Sequence, residues 1–274
     1  PETVFNHGYA ILNADDDLVY AMKEGLKCNI AYFSMDENNP RIKKHCKAGG
    51  YAAVFENGYI TIMKGTWKIR VIKVSEVPVT YGGKALHNVM NCLPAVLSTY
   101  FWRDIEIEDI KLALQTFVPS SAQTPGRLNM FQFKHFQFLV DFAHNPAGLE
   151  LLCDFISKLD GEPKVGIISG TGDRRDEDIK ELGRISGRSF DEIIIRQDKN
   201  LRGRTAEEIV NLLVEGINET KTKDIPIEII YNEKEAIMHA YNNAKPGSLI
   251  TIMCDVVAEA LDLIKGLKEK EDAE

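Results

Sequence analysis

The residues best equipped for chemistry stand at the ends of apolar runs. In Gln137-Phe138-Leu139-Val140-Asp141-Phe142-Ala143-His144-Asn145-Pro146-Ala147-Gly148, the pattern reads as a buried strand ending in Asp141, a tight connection, and a helix opened by Pro146. Polar groups at the carboxyl end of a strand, beside a helix N-terminus, suit a phosphate or carboxylate ligand. A helix-capping loop accounts for the same letters. Gly82-Gly83-Lys84-Ala85-Leu86-His87-Asn88-Val89-Met90-Asn91 opens a long helix with Asn88 and Asn91 on one face. Each amide offers a donor and an acceptor, enough to read an adenine edge, and polar helix surface with one buried amide is the alternative. Arg127, just past Pro125-Gly126, is placed either to clamp a phosphate or to stand solvated in a loop. Asp15 to Asp17, after an apolar strand, cap a helix or sit beside a nucleotide.

The elements that must position these groups follow a β-then-α rhythm. Apolar strands over Val165–Ser169, Ile193–Ile195, Ile227–Tyr231 and Leu249–Met253 alternate with helical patterns, which predicts a parallel, doubly wound sheet. The loops after Val140, Ser169 and Ile195 then share one edge. They carry Gly172-Asp173-Arg174-Arg175-Asp176-Glu177-Asp178 and Asp198-Lys199-Asn200-Leu201-Arg202-Gly203-Arg204. An incoming guanidinium is best met by paired carboxylates. Asp173 and Asp198 are the candidate contacts, because capping explains them less well than it explains Asp176 to Asp178. Linker composition occurs at Val118 to Arg127. Residues 1–120, a linker at 121–127, and residues 128–274 are therefore the expected domains.

The whole chain narrows the classes of function. Its 274 residues suffice for about two domains, and 44% hydrophobic residues give each a core. A net charge of −8 argues against nucleic acid or an anionic membrane as the main partner. Five scattered cysteines, none in C-x-x-C spacing, suggest neither a disulfide framework nor a zinc site and fit a reducing cytosol. The last ten residues are expected to be disordered. The start at Pro1-Glu2, close before a strand, is expected to lie inside a larger protein. No G-x-x-x-x-G-K-[ST] occurs, so the chain lacks a lysine-type phosphate loop.

Asn13-Ala14-Asp15-Asp16, Gly82-Gly83 followed by His87-Asn88 and Asn91, Pro125-Gly126-Arg127, and Asp141-x-Ala143-His144-Asn145-Pro146 resemble, in this order, the ATP-dependent Mur ligase superfamily. Gln123 to Asn129, Asp141 to Gly148 and Gly172 to Asp178 are most similar to its cyanophycin synthetase family. The resemblance implies a Mur ligase-like α/β fold: the back part of a central ATPase domain, then a Rossmann-like, doubly wound C-terminal domain. It implies ATP-dependent amide formation through an acyl phosphate, with arginine added to aspartate side chains of the cyanophycin polymer. Asn88 and Asn91 would contact adenine, Arg127 and Asp141 the phosphates and ribose, and His144 and Asn145 the substrate region. Arg127 would also stabilise the transition state. Mg2+ ligands are expected upstream, with none assigned within this chain, and homo-oligomerisation of the full-length enzyme is compatible with the resemblance. Without a phosphate loop, these residues alone are expected to be close to inactive. A peptidoglycan ligase, a folylpolyglutamate synthetase, and a non-catalytic nucleotide-binding module are the alternatives.

Overall fold

The structure, a computed structural model, describes residues 4–273, and the chain divides between Val118 and Pro119 into two compact units. In the first unit, parallel strands β1 (Tyr9–Asn13), β2 (Asn29–Ser34) and β3 (Tyr51–Glu56) lead into antiparallel β4 (Tyr59–Lys64) and β5 (Trp67–Lys73), in sheet order β1-β2-β3-β4-β5. Asn57 and Gly58 both take positive φ, as the tight hairpin signalled by Asn-Gly requires. The helices are α1 (Asp17–Ala21), α2 (Pro40–Lys47), α3 (Leu86–Tyr100) and α4 (Ile107–Thr116). Because strand side chains alternate, Tyr32 and Val54 pack with Ile42 of α2, while Ala31 and Ala53 join the cluster holding Val89, Leu93 and Leu97 of α3. Asp16 caps α1 by accepting from the Val19 N–H at 2.9 Å. Asp15 accepts from Ser34 Oγ at 2.6 Å and the Met35 N–H at 2.7 Å.

In the second unit, β6 (Asn129–Gln132) is an antiparallel edge to β7 (Gln137–Asp141). Parallel strands β8 (Lys164–Ile168), β9 (Glu192–Ile195), β10 (Ile227–Ile229) and β11 (Leu249–Met253) complete a sheet of order β10-β9-β8-β11-β7-β6. Helices α5 (Pro146–Ser157), α6 (Asp176–Ser189), α7 (Ala206–Thr220), α8 (Glu233–Asn242) and α9 (Val257–Ala273) connect them. All five residues of β11 are buried, as a strand covered on both faces must be. The last strand in the chain is thus central, inserted between β7 and β8.

Two expectations change in this unit. Residues 121–127 lie within the second unit, and their end is bonded into it. The Gly126 N–H donates to Asn129 Oδ1 at 2.7 Å, and the Phe142 N–H donates to the Gly126 carbonyl at 2.9 Å. Gly126 has φ +68°, and a Cβ there would stand 2.7 Å from Val257, so only glycine fits without a shift. The final ten residues, expected to be disordered, are helical as far as Ala273, with residue 274 outside the described range. The physical reason is that Ile264 and Leu267 are buried in the core of this unit, and Glu271 accepts from the Lys134 N–H at 3.0 Å. Replacing Ile264 by Ala should therefore cost about 2–5 kcal/mol in the unfolding of this unit. Denaturant titration checks this, and a loss under about 0.5 kcal/mol, the scale of surface changes, would mean that α9 does not hold the core.

Candidate functional site

In the first unit, α3 and α4 enclose a cavity of about 360 Å³, whose lining includes Asn88, Asn91, Cys92, Val96, Ala113 and Leu114. Asn88 is half-buried and spends its Nδ2 on the Val79 carbonyl at 2.8 Å, while Asn91 is exposed at the rim. Apolar walls with an amide at the mouth suit a flat heteroaromatic ring.

In the second unit, the carboxyl ends of β7, β8, β9 and β11 are neighbours, so four loops meet where three were expected. Asp141 ends β7 and accepts from the Leu128 N–H at 2.9 Å. Its ring of backbone N–H groups and the charge of Arg127 favour the carboxylate, yet burial outweighs them and pushes its carboxyl above the ordinary range. Arg127 is exposed, its guanidinium 5.6 Å from the Phe142 ring centre. His144 Nδ1 lies 3.0 Å from the Phe142 carbonyl. Since a carbonyl only accepts, Nδ1 carries a proton in this contact. Asn145 is the N-cap of α5, its Oδ1 accepting from the Gly148 N–H at 2.8 Å, which gives it a structural role in starting that helix.

Asp173 and Asp198 do meet guanidinium groups, but the chain's own. Asp173 pairs with Arg202, whose hydrogen bond holds its carboxyl below the usual range. Asp198 Oδ1 takes Arg196 Nη1 at 2.7 Å and Ser169 Oγ at 3.0 Å. The loops after β8 and β9 are stapled together by these pairs and by Arg204, which donates to the Gly172 and Arg174 carbonyls at 2.9 Å each. They touch so closely that a Cβ on Gly172 would stand 2.0 Å from the Leu201 carbonyl oxygen.

Two cavities adjoin at this edge, sharing Asp198 and Asp255. One, about 140 Å³, is cationic, with His144, Arg174, Arg196 and Arg202 in its wall; Arg174 Nε is buried there with no hydrogen-bond partner. The other, about 660 Å³, carries Glu233, Glu259 and Asp262 besides the shared carboxylates, with Lys199 and Lys234. Burial pushes the Glu233 carboxyl up although Arg196 opposes it. Cys254 has its thiol pushed up to about 12 by burial, which leaves it unreactive. Sequence reasoning missed Arg196, Glu233, Asp255, Glu259 and Asp262. An arginine closing the apolar run Ile193–Ile195 was the available signal for the first. The others depend on β11 lying inside the sheet, which no local pattern announces.

The model of the "Mur ligase, glutamate ligase domain" matches residues 126–255. Cyanophycin synthetase of Synechocystis sp. is 40% identical over 267 residues, which are 97% of this chain and 30% of that protein. The chain has a Mur ligase-like α/β fold, and its residues 126–255 carry the Mur ligase domain. It spans less than a third of the length of that relative. A murein peptide ligase from Psychrobacter arcticus shares this Mur ligase fold with TM-score 0.62 at 18% identity, over 97% of this chain and 52% of that one. A bifunctional folylpolyglutamate synthase/dihydrofolate synthase, solved with Mn, AMPPNP and L-glutamate bound, superposes with TM-score 0.57 at 17% identity, over 86% of this chain and 53% of its own.

In this Mur ligase fold Asp141 is held at a cost. A carboxyl whose value is raised on folding contributes most below the ordinary aspartate value, and that contribution is lost as pH rises through the raised value. Asp141→Asn keeps an acceptor for Leu128 and removes the buried charge. The variant should melt above the parent at pH 7, with the difference shrinking towards pH 4. Thermal melts across that range check the sign, and a variant that loses ground as pH rises would contradict it.

Proposed function

We propose that this chain is the nucleotide- and acceptor-binding part of an ATP-dependent ligase that adds arginine to the aspartate side chains of cyanophycin. The observation that carries the reading is the pair of adjoining cavities of opposite charge at one sheet edge. An amino acid with an anionic head and a cationic side chain matches that polarity: carboxylate towards Arg174 and Arg202, guanidinium towards Asp255, Glu259 and Asp262. The 40% identity to cyanophycin synthetase across nearly the whole chain supports it. Asp173 and Asp198, already paired internally, become supports of the site in this reading and not direct contacts.

The chemistry follows in two steps. A substrate carboxylate oxygen attacks the γ-phosphorus of ATP, the bond to ADP breaks, and an acyl phosphate forms. The arginine amine then attacks the acyl carbon, loses a proton, and phosphate leaves. Asn88 and Asn91 hold adenine in the first unit, and Arg127 and Asp141 are assigned to phosphate and ribose in the second. His144, in the wall of the cationic cavity, is assigned to the substrate region. The Mg2+ that accompanies ATP is expected to take its protein ligands upstream of this chain. A cytoplasmic setting is supported by five unpaired cysteines and by the absence, among the described residues, of a helix long and apolar enough to cross a membrane.

Two measurements test this. Alone, the 274 residues should show no ligation with primer, arginine, ATP and magnesium, because the lysine phosphate loop is lacking; robust turnover would overturn the assignment of the chain as a part. In the full-length protein, Asp255→Asn and Asp262→Asn should each raise the Michaelis constant for arginine about ten- to a hundredfold, the scale of one lost charge-assisted contact, and leave that for ATP unchanged. Equal arginine dependence in both variants and the parent would remove the acidic cavity from the site.

A further inference from the structure

Arg196 is the largest fully buried side chain of the described residues that carries a charge. It closes β9 and reaches across the sheet edge. Nη1 meets Asp198 at 2.7 Å, Nε stands 3.1 Å from Glu233 Oε2 at the start of α8, and Nε donates to the Met253 carbonyl at the end of β11 at 3.2 Å. Glu233 Oε2 in turn accepts from the Asp255 N–H at 2.6 Å, and Asp255 Oδ2 accepts from the Lys199 N–H at 2.7 Å. One guanidinium therefore ties the ends of two strands and one helix start. It holds the Asp198 carboxylate directly and, through Glu233, the backbone of Asp255, the two residues that belong to both cavities.

We infer that Arg196 is the positioning residue for the acceptor amino acid: it makes no substrate contact through its fork of donors, but sets where Asp198 and Asp255 stand in the wall shared by the cationic and acidic cavities. This rests on the reading of those cavities as the arginine site. The fork is what matters, because a planar guanidinium can satisfy Asp198, Glu233 and a carbonyl at once in fixed directions. A lysine keeps the charge, and so avoids stranding two carboxylates, but has a single point from which to donate. Asn88 and Asn91, assigned to adenine, line a cavity built wholly within the first unit. The hydrogen bonds and ion pairs of Arg196 go to Asp198, Glu233 and the Gln197 and Met253 carbonyls, not to Arg127 or Asp141 of the second unit, so the effect should fall on the acceptor more than on ATP.

The test is Arg196→Lys in the full-length protein, with Ser169→Ala as a second variant that removes the other hydrogen bond to Asp198 without touching a charge. Arg196→Lys should fold and raise the Michaelis constant for arginine about tenfold or more, with that for ATP within about twofold of the parent. Ser169→Ala should move the arginine constant in the same direction by less, and it carries the test if Arg196→Lys does not fold. A purely structural role would lower the melting temperature and the amount of active protein without this split. Arginine constants unchanged in the folded variants, with a parent that saturates with arginine, would overturn the role of Arg196 alone. A parent with no dependence on arginine would overturn the substrate reading and this inference together.

Discussion

The second unit depends on a buried charge that has to be matched. Arg196 has a side chain only 2% exposed, beside Asp198 at 12% and Glu233 at 14%. Removing one member of such a group strands the others in a medium that cannot solvate them, at a cost of about 3–5 kcal/mol. Intact buried ion pairs add little stability relative to well-packed apolar residues. Stability is thus a weak reason for this arrangement, and geometry a better one. The directions of the hydrogen bonds set the ends of β9 and β11 and the start of α8 in one mutual register.

The cavities of the two units are suited to ligands by different physics. The first offers an apolar slot with amides, where burial of a ring supplies affinity and a few hydrogen bonds supply orientation. The second offers charges of both signs within a few residues of each other, where discrimination comes from pairing and from the cost of leaving a partner unpaired. The loops after β8 and β9 are held close by Arg204 and by the Gly172 to Leu201 approach.

Much of the fold was legible because its signals are local. Asn57-Gly58 marked the hairpin, Pro146 the start of α5, and continuous apolar runs the buried parallel strands. The tail was misjudged because its composition is polar, while its order comes from Leu267, and Ile264 just before it, meeting a core that includes residues more than a hundred positions earlier, Phe133, Phe136, Phe138 and Val140. The site divides in the same way. Asp141, His144 and Asn145 stand in a local pattern, so the letters alone place them at the end of β7 and the start of α5. Asp173 and Asp198 were found as carboxylates that seek guanidinium groups, but sequence spacing has no means of saying that Arg202 and Arg196 already supply them. Asp255 escaped notice because strand order in a sheet is a tertiary fact.

That strand order bears on how the polypeptide is made. β11 pairs with β7 and β8, so during synthesis these two strands emerge with a gap between them that stays unfilled until residue 253 has left the ribosome. Until then each has an unsatisfied edge, and the apolar faces of both are exposed to neighbouring chains. A nascent chain stalled short of β11 would present strand edges without their central partner. Chaperone protection during this interval, and not after release, is where the burden of keeping this unit from aggregating falls.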